Sequence, residues 1–274
     1  MTHVRRLLLS LSWAALLPAA SGFTTSLLHT PTGQPSDQSQ ETIRILAYNI
    51  RHGLGMDEQI DLERTARVIQ RLDPDVVALQ EVDRRAERTG GVDQAAVMGE
   101  LTGMHAVFGD FMDYQGGQYG MALLSKYPIA ATTKHRLPEG REPRSALAAT
   151  IRVGESGAEV IVVGIHLYAT AEERYAQASR IVDIYENEGR PVILAGDFNS
   201  TPESEVMALL RQSWTIPAKG EDHLTFPSTE PDREIDFIIY RPRERFEVVE
   251  SRVIHEPIAS DHRPVLLEVV LRDR

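Results

Sequence analysis

Two polar side chains stand at the end of an apolar run in "VILAGDFN", residues 192–199. The run has the length of a buried strand and leads directly into Asp197 and Asn199. Residues two apart on an extended segment face the same side, so this carboxylate and this carboxamide are expected to reach one small ligand together. Gly, Asp and Asn are also common in turns, so the stretch taken alone is equally compatible with a polar turn.

Other apolar runs also end or begin at a polar residue. These residues are Asn49, Glu81, His166, Asp236, Asp261 and His262. Ligand sites in α/β proteins cluster at strand ends. If the four acids Glu81, Asp197, Asp236 and Asp261 converge, their mutual repulsion requires a bound cation or raised pKa values. Oxygen donors without cysteine favour a hard ion, so Mg²⁺ is predicted, with Mn²⁺ as the alternative.

Each of these residues also has a purely structural interpretation. Glu81 could cap a helix, "SDH" at residues 260–262 could be a turn, and His166 could be a hydrogen-bonding residue after a strand. The two histidines can take up or orient a proton near neutral pH. The joint occurrence of all these groups at strand ends favours a catalytic site.

The elements that must position these residues are read from hydrophobic periodicity. Strand-length apolar runs occupy residues 43–50, 75–82, 120–129, 146–153, 158–167, 191–198, 235–240 and 264–271. Helical periodicity occupies residues 61–72, 93–103, 171–188 and 202–212, the last with Thr201 as its predicted cap. This alternation predicts an α/β fold with mixed sheets. So many strands fit two sheets packed face to face, with helices outside, better than one sheet.

The N-terminal region predicts an exported protein, secreted or periplasmic. Residues 1–22 have two arginines, an apolar run from Leu7 to Leu17 and then small residues, the order of a signal peptide. The run is shorter than the roughly 20 residues of a spanning helix, so no transmembrane span is expected in the mature chain. Residues 23–41 are polar and aperiodic, which predicts a flexible tether before one domain at 42–274.

Composition excludes some function classes. The 274 residues contain no cysteine, which excludes thiol catalysis and cysteine-ligated metals. The net charge is −11, and loss of Arg5 and Arg6 with the signal peptide leaves 27 of the 29 basic residues against 40 acidic ones, a charge of −13. Tight nucleic-acid binding is therefore not expected, because it depends on neutralising phosphates with basic side chains. A monomer is the default expectation.

Eight short motifs occur in a recognisable order. They are "AYNIRHG", "LQEVD", "YGMALLSKYPI", "EPRSAL", "GIHL", "GDFN", "IDFII" and "SDHRPV". In this order they resemble the endonuclease/exonuclease/phosphatase superfamily, metal-dependent phosphoesterases that include DNase I and bacterial sphingomyelinases. The resemblance covers roughly residues 43–271 and implies a DNase I-like four-layer α/β sandwich.

The resemblance also implies roles for the metal side of the site. Glu81 matches the principal magnesium ligand, and Asp261 matches a further carboxylate of the metal site. Asn49 matches an asparagine beside the metal and the scissile phosphate. Arg144 and Tyr119 resemble positions that contact the phosphate of the substrate.

On the water side, Asp197 and Asn199 match the pair that orients the attacking water and binds phosphate oxygens. Asp236 matches the acid that supports the catalytic histidine, here His262, and either Asp197 or His262 can be the general base. His166 resembles a second histidine that assists the leaving group. Relatives often have Thr where Ile165 stands and an acid where Tyr168 stands, so this side departs from the family pattern.

These residues predict a hydrolase that cleaves a phosphodiester, or a phosphomonoester, with an activated water. The acidic composition favours a small-molecule or lipid-headgroup substrate. The alternatives are a secreted nuclease of the DNase I type and an inactive binding module on the same fold. Thr225 and Phe226, in "TFPSTEPDREIDFII", shape the pocket or form a loop packed beside the strand of Asp236.

Overall fold

The structure, a computed structural model, describes residues 41–154 and 157–272. The predicted signal peptide lies outside the described residues. So does the predicted tether, except for its last residue, Glu41, which opens the first strand. No helix of the described part of the chain is long and apolar enough to cross a membrane.

The described residues form eleven strands and four α-helices. The strands are β1 (Glu41–Asn49), β2 (Val76–Arg84), β3 (His105–Tyr114), β4 (Gly117–Ser125), β5 (Ile129–Arg136), β6 (Ser145–Val153), β7 (Ala158–His166), β8 (Val192–Asp197), β9 (Asp236–Arg241), β10 (Phe246–Val253) and β11 (Val265–Leu271). The helices are α1 (Leu62–Leu72), α2 (Gln94–Thr102), α3 (Ala171–Tyr185) and α4 (Glu205–Leu210).

The strands make two mixed sheets. The six-stranded sheet has the order β10-β11-β1-β2-β4-β3, and the five-stranded sheet has the order β5-β6-β7-β8-β9. Each sheet has one parallel pair, β1 with β2 and β7 with β8. Parallel neighbours end at the same edge of a sheet, so the residues that close each pair lie side by side.

Alternation along the strands separates the layers. Ile43, Ile45 and Ala47 of β1 enter the core between the two sheets, whereas Leu46 and Tyr48 pack under α1 and α2. The outer face of the five-stranded sheet is covered in the same way by α3 and α4. The order is therefore helices, sheet, sheet, helices, and the predicted four-layer α/β sandwich is confirmed.

One helix start differs from the prediction. Helix α4 begins at Glu205, and its cap is Ser204, not Thr201. The Ser204 hydroxyl accepts a hydrogen bond from the Met207 amide at 3.3 Å. Residues 201–204 instead form a turn closed by the Ser204 amide on the Thr201 carbonyl oxygen. Pro202 suits the first turn of a helix, but it is equally at home in a turn, and here the turn prevails.

Candidate active site

Glu81 sits in a β-bulge of β2. The register between β2 and β4 shifts between Gln80 and Val82, and Glu81 has a φ of 57°. A bulge re-aims one side chain at the price of local strain, and non-glycine residues in this region of φ cluster at functional sites. The Glu81 carboxylate reaches Asn49 at the end of β1, 3.1 Å from its amide nitrogen.

Asp197 depends on the glycine before it. Gly196 has a φ of 149°, and a Cβ there would lie 2.0 Å from the Ile165 carbonyl oxygen of β7. Only glycine permits this approach. The register then places Asp197 directly beside His166, with 3.5 Å between Asp197 Oδ2 and His166 Nε2.

Asn49 joins the two carboxylates. Its Nδ2 donates to Glu81 Oε1 at 3.1 Å and to Asp197 Oδ2 at 3.2 Å, and it lies 3.5 Å from His262 Nε2. Its Oδ1 accepts from the Arg51 amide at 3.1 Å. The sequence prediction also made Asn49 a metal ligand. This role stays a prediction, because its oxygen accepts one backbone hydrogen bond and keeps a second lone pair, while its nitrogen donates to the acids.

His262 is paired with Asp236. Its Nδ1 lies 3.0 and 3.2 Å from the two carboxylate oxygens of Asp236, so Nδ1 carries a proton and Nε2 is directed toward Asp197, 3.8 Å away. Burial opposes a charged imidazole, but the carboxylates of Asp236, Asp197 and Asp261 together outweigh burial and raise the pKa of His262. Burial, followed by the charge of Asp236, raises the pKa of Asp197. Near neutral pH His262 is therefore charged, and Asp197 is the member of the pair that can take up a further proton.

His166 is buried and uncharged at neutral pH. Burial, then the positive charges of Arg144 and His262, lower its pKa well below the usual value. Its Nδ1 is buried and has no hydrogen-bond partner among the described residues. A buried polar atom without a partner costs free energy.

Asn199 differs from the geometry expected from its spacing. Strand β8 ends at Asp197, and Asn199 has a φ of 48°, so the segment is not extended. The Asn199 amide donates to Asp197 Oδ1 at 2.8 Å, and its Nδ2 donates to the Leu167 carbonyl oxygen at 2.9 Å. The expectation that both side chains face one way along a strand is therefore wrong, although Asn199 still lines the pocket beside Glu81.

Asp261 and Glu81 are the acids that the sequence predicts as ligands of a cation. Asp261 Oδ2 lies 3.8 Å from Arg51 Nε. Burial raises the pKa of Glu81, and the charge of Asp261 adds to this effect. Two acids that repel each other in a partly buried site fit a hard divalent ion. The buried Asp197, Asp236 and His262, whose ligand atoms lie within 4.8 Å of one another, could also hold a metal ion.

A pocket of about 330 Å³ opens beside these groups. Its lining includes Glu81, His166 and Asn199, and the predicted substrate contacts Arg144 and Tyr119. The further wall residues, which sequence reasoning missed, are Arg88, Met112, Tyr114, Glu142, Tyr168 and Ala169.

The arginines of this pocket are held by acids and aromatic rings. Arg144 pairs with Glu142 and lies over the Phe111 ring at 4.8 Å and the Tyr168 ring at 5.4 Å. Arg88 makes two hydrogen bonds to the fully buried Asp83, at 2.7 and 2.8 Å. Both guanidinium groups are thus fixed in place and largely neutralised by their partners.

The chain resembles several known proteins. Residues 46–262 match the model of the Endonuclease/Exonuclease/phosphatase family. The sequence is 25% identical to the uncharacterized protein YbhP of Escherichia coli K12, over 86% of this chain and all of that protein.

Two solved structures have the same fold. An endonuclease/exonuclease/phosphatase from Beutenbergia cavernae superposes with a TM-score of 0.67 and 26% identity, over 84% of this chain and 72% of that one. A mannosyl-6-phosphatase of Bacteroides thetaiotaomicron superposes with a TM-score of 0.67 and 18% identity, over 84% of this chain and all of that one, which shows the fold alone.

The family match runs from β1 to His262 and so spans both sheets and each site residue described above. These residues also meet at one edge of the sandwich, as the order of the motifs implies. The chain therefore belongs to the endonuclease/exonuclease/phosphatase family.

Proposed function

We propose that this protein is a hydrolase that cleaves a phosphoester by attack of water, with a small-molecule or lipid-headgroup phosphodiester as its favoured substrate. The observation that carries the proposal is the position of Asn49, which donates to Glu81 on one side and Asp197 on the other. The Asn49 side chain thus connects Glu81, which is suited to binding a metal ion, with Asp197, which is suited to binding the attacking water.

The Asp197–His262 pair is suited to receiving the proton of the attacking water. Asp236 fixes the imidazole of His262 so that Nε2 is directed toward Asp197 and Asn49. A proton acceptor must lie within hydrogen-bond reach of the water it activates, and Asp197 Oδ2 and His262 Nε2 lie 3.8 Å apart, both beside Asn49 Nδ2.

Glu81 and Asp261 would hold the divalent ion, Mg²⁺ or alternatively Mn²⁺. A bound ion of this kind neutralises charge that develops on the phosphoryl oxygens. The uncharged His166, which lies beside Asp197 and lines the pocket, would assist the leaving group through a hydrogen bond.

The pocket supports a small substrate over a polynucleotide. Its volume is about 330 Å³, and its cations Arg88 and Arg144 are already paired with Asp83 and Glu142. Little free positive charge remains to follow a phosphate backbone, in a chain whose net charge is −11. The tyrosines that line the pocket, Tyr114, Tyr119 and Tyr168, suit a sugar or another ring attached to the phosphate.

The retained site residues argue against an inactive binding module. Asn49, Glu81, Asp197, Asp236 and His262 are all present and form one connected set of contacts. A protein that only binds a ligand does not require these connected catalytic side chains. We also propose that the protein acts outside the cytoplasm, on the basis of the predicted signal peptide at residues 1–22. N-terminal sequencing of the exported protein tests this.

The test is a hydrolysis screen with bis(p-nitrophenyl) phosphate, p-nitrophenyl phosphate, phospholipids, sugar phosphates and DNA, each with Mg²⁺, Mn²⁺ or EDTA. We expect turnover of small phosphoesters that needs the ion and changes little between 50 and 200 mM salt, conditions under which DNA binding by six to ten phosphate contacts weakens about 10³-fold or more. Preferential cleavage of DNA with a steep salt dependence would favour the nuclease. No hydrolysis of any substrate would favour the binding module.

A further inference from the structure

Asp236 and His262 belong to different sheets. Asp236 opens β9 of the five-stranded sheet, whereas His262 precedes β11 of the six-stranded sheet. Among the described strands no ladder of hydrogen bonds connects the two sheets. The 3.0 Å contact between these side chains therefore depends on a different connection.

Thr225 holds the Asp236 side of the pair. Its hydroxyl accepts from the Ile235 amide at 3.1 Å and from the Asp236 amide at 3.2 Å. The Thr225 side chain is fully buried, so no water can replace this acceptor. A side chain outside the strand thus fixes the backbone where the Asp236 carboxylate begins.

The same segment holds the His262 side. The Thr225 carbonyl oxygen accepts from the Arg263 amide at 2.7 Å, and the Ser228 amide donates to the Asp261 carbonyl oxygen at 2.7 Å. These bonds fix the backbone immediately before and after His262. Arg263 Nε also donates to the Ser228 carbonyl oxygen at 2.7 Å.

Phe226 restricts the imidazole itself. Its ring centre lies 4.7 Å from that of His262, with an angle of 54° between the ring planes. The ring covers one side of the imidazole, whose edge is held by Asp236. Rotation of the imidazole away from Asp197 would disturb both contacts.

We propose that residues 225–228 are a positioning segment that sets the distance and orientation of the Asp236–His262 pair across the two sheets. Thr225 acts through Asp236, and Phe226 acts through His262; neither is required to touch the substrate. The inference rests on the proposed function for its kinetic consequence, because a misplacement of about 1 Å in a catalytic group can cost about 10²-fold in rate.

The first test is Thr225→Val, which keeps the shape of the side chain and removes the acceptor. We expect kcat to fall about 10- to 100-fold with KM changed less than about 3-fold, and Thr225→Ser to restore most of kcat. The matched control is Thr65→Val, since Thr65 is also fully buried and its hydroxyl bonds only to the Asp61 carbonyl oxygen of its own helix. It should lose stability without losing kcat.

A double-mutant cycle separates positioning from a general structural effect. If Thr225 acts through the Asp236–His262 pair, Thr225→Val should cost less than about 2-fold in a His262→Ala background. An unchanged kcat in Thr225→Val alone would overturn the inference. So would a loss of kcat in the His262→Ala background as large as the loss in the wild-type background. If Thr225→Val does not fold, Phe226→Leu replaces it in the cycle. We expect Phe226→Leu to lower kcat about 5-fold or more, and to cause no such loss in a His262→Ala background.

A spectroscopic measurement keeps this inference distinct from the proposed function. The Nδ1 proton of His262 in its bond to Asp236 gives a downfield NMR resonance that needs no substrate. We expect it to shift or broaden in Thr225→Val and to stay unchanged in Thr65→Val. Failure of the wild-type protein to hydrolyse any phosphoester refutes the proposed function alone, whereas an unaffected resonance in Thr225→Val refutes the positioning role alone.

Discussion

Asn49 Nδ2 lies 3.1 Å from a Glu81 oxygen and 3.2 Å from an Asp197 oxygen, so one amide group separates and connects two carboxylates that would otherwise repel each other. Glu81 comes from the six-stranded sheet and Asp197 from the five-stranded sheet. The contact therefore also ties the two sheets together at the edge where the pocket opens.

Asn49→Asp should be more damaging than Asn49→Ala. The aspartate adds a third charge between two acids, whereas alanine only removes the donor. We expect kcat to fall about 10²-fold in the alanine variant and further in the aspartate variant, as measured by steady-state kinetics beside thermal melts. The exposed Asn187→Ala is the control, and equal activities of Asn49→Asp and the wild type would contradict the role of the donor.

Glu81→Gln should abolish the response to the ion. Without metal the variant should melt about 2 °C or more above the wild type. Burial raises the pKa of Glu81 because a buried carboxylate is poorly solvated, and the neutral glutamine avoids this desolvation cost. Mg²⁺ or Mn²⁺ should raise the melting temperature of the wild type but not of this variant. Glu63→Gln, on the exposed face of α1, should behave like the wild type. An ion-induced shift retained by Glu81→Gln would place the ion elsewhere.

His262→Ala should lower kcat by about 10²- to 10⁴-fold, the scale of a general acid or base. Asp236→Asn should act in the same direction, and the two changes together should cost little more than the larger one, because both act through one imidazole. Rapid-quench or continuous assays of the three variants check this. A loss below 10-fold for His262→Ala would assign it a structural role.

The pH dependence of stability should include a contribution from His52. Burial, then the charge of Arg88, lowers the pKa of His52 to about 4. Between pH 6.5 and 4 the unfolded chain binds a proton that the folded protein does not, so this contribution is present above pH 6.5 and is lost as the pH falls to 4. Full burial would make it about 3 kcal/mol, and partial solvation of the ring reduces it.

The measurement is urea unfolding from pH 7 to pH 4 for the wild type and His52→Asn, which tolerates the φ of 45° at this position. The free energy of unfolding should fall less in the variant. His105→Asn, at an exposed position, is the control and should track the wild type. Parallel curves for His52→Asn and the wild type would contradict the assignment.

The strands that sequence patterns missed lie at sheet edges. Strands β3, β5 and β10 are edge strands, and none was predicted. Along β5 most side chains are exposed, and β10 carries three charged residues and the exposed Val249. These three edge strands bury little, so their sequences need no apolar run, whereas the edge strand β9 is buried, has an apolar run and was predicted. The central strands, buried on both faces, have continuous apolar sequences and were predicted within a few residues.

The candidate site was predictable where a residue closes a buried strand, as Asn49, His166 and Asp197 do. The β-bulge at Glu81 and the left-handed turn at Asn199 were not, because each depends on pairing or turn geometry absent from local periodicity. Arg88 was also missed, since its role follows from the buried Asp83 and from pocket contacts that only the folded chain brings together.

The internal pairing of Arg88 with Asp83 and of Arg144 with Glu142 has a consequence for turnover. Hydrolysis of a diester leaves a monoester with one more negative charge than the substrate. In the proposed hydrolysis both guanidinium groups are already paired with acids, so the wall of the pocket offers little attraction for that added charge. The pairing therefore favours release of the cleaved product.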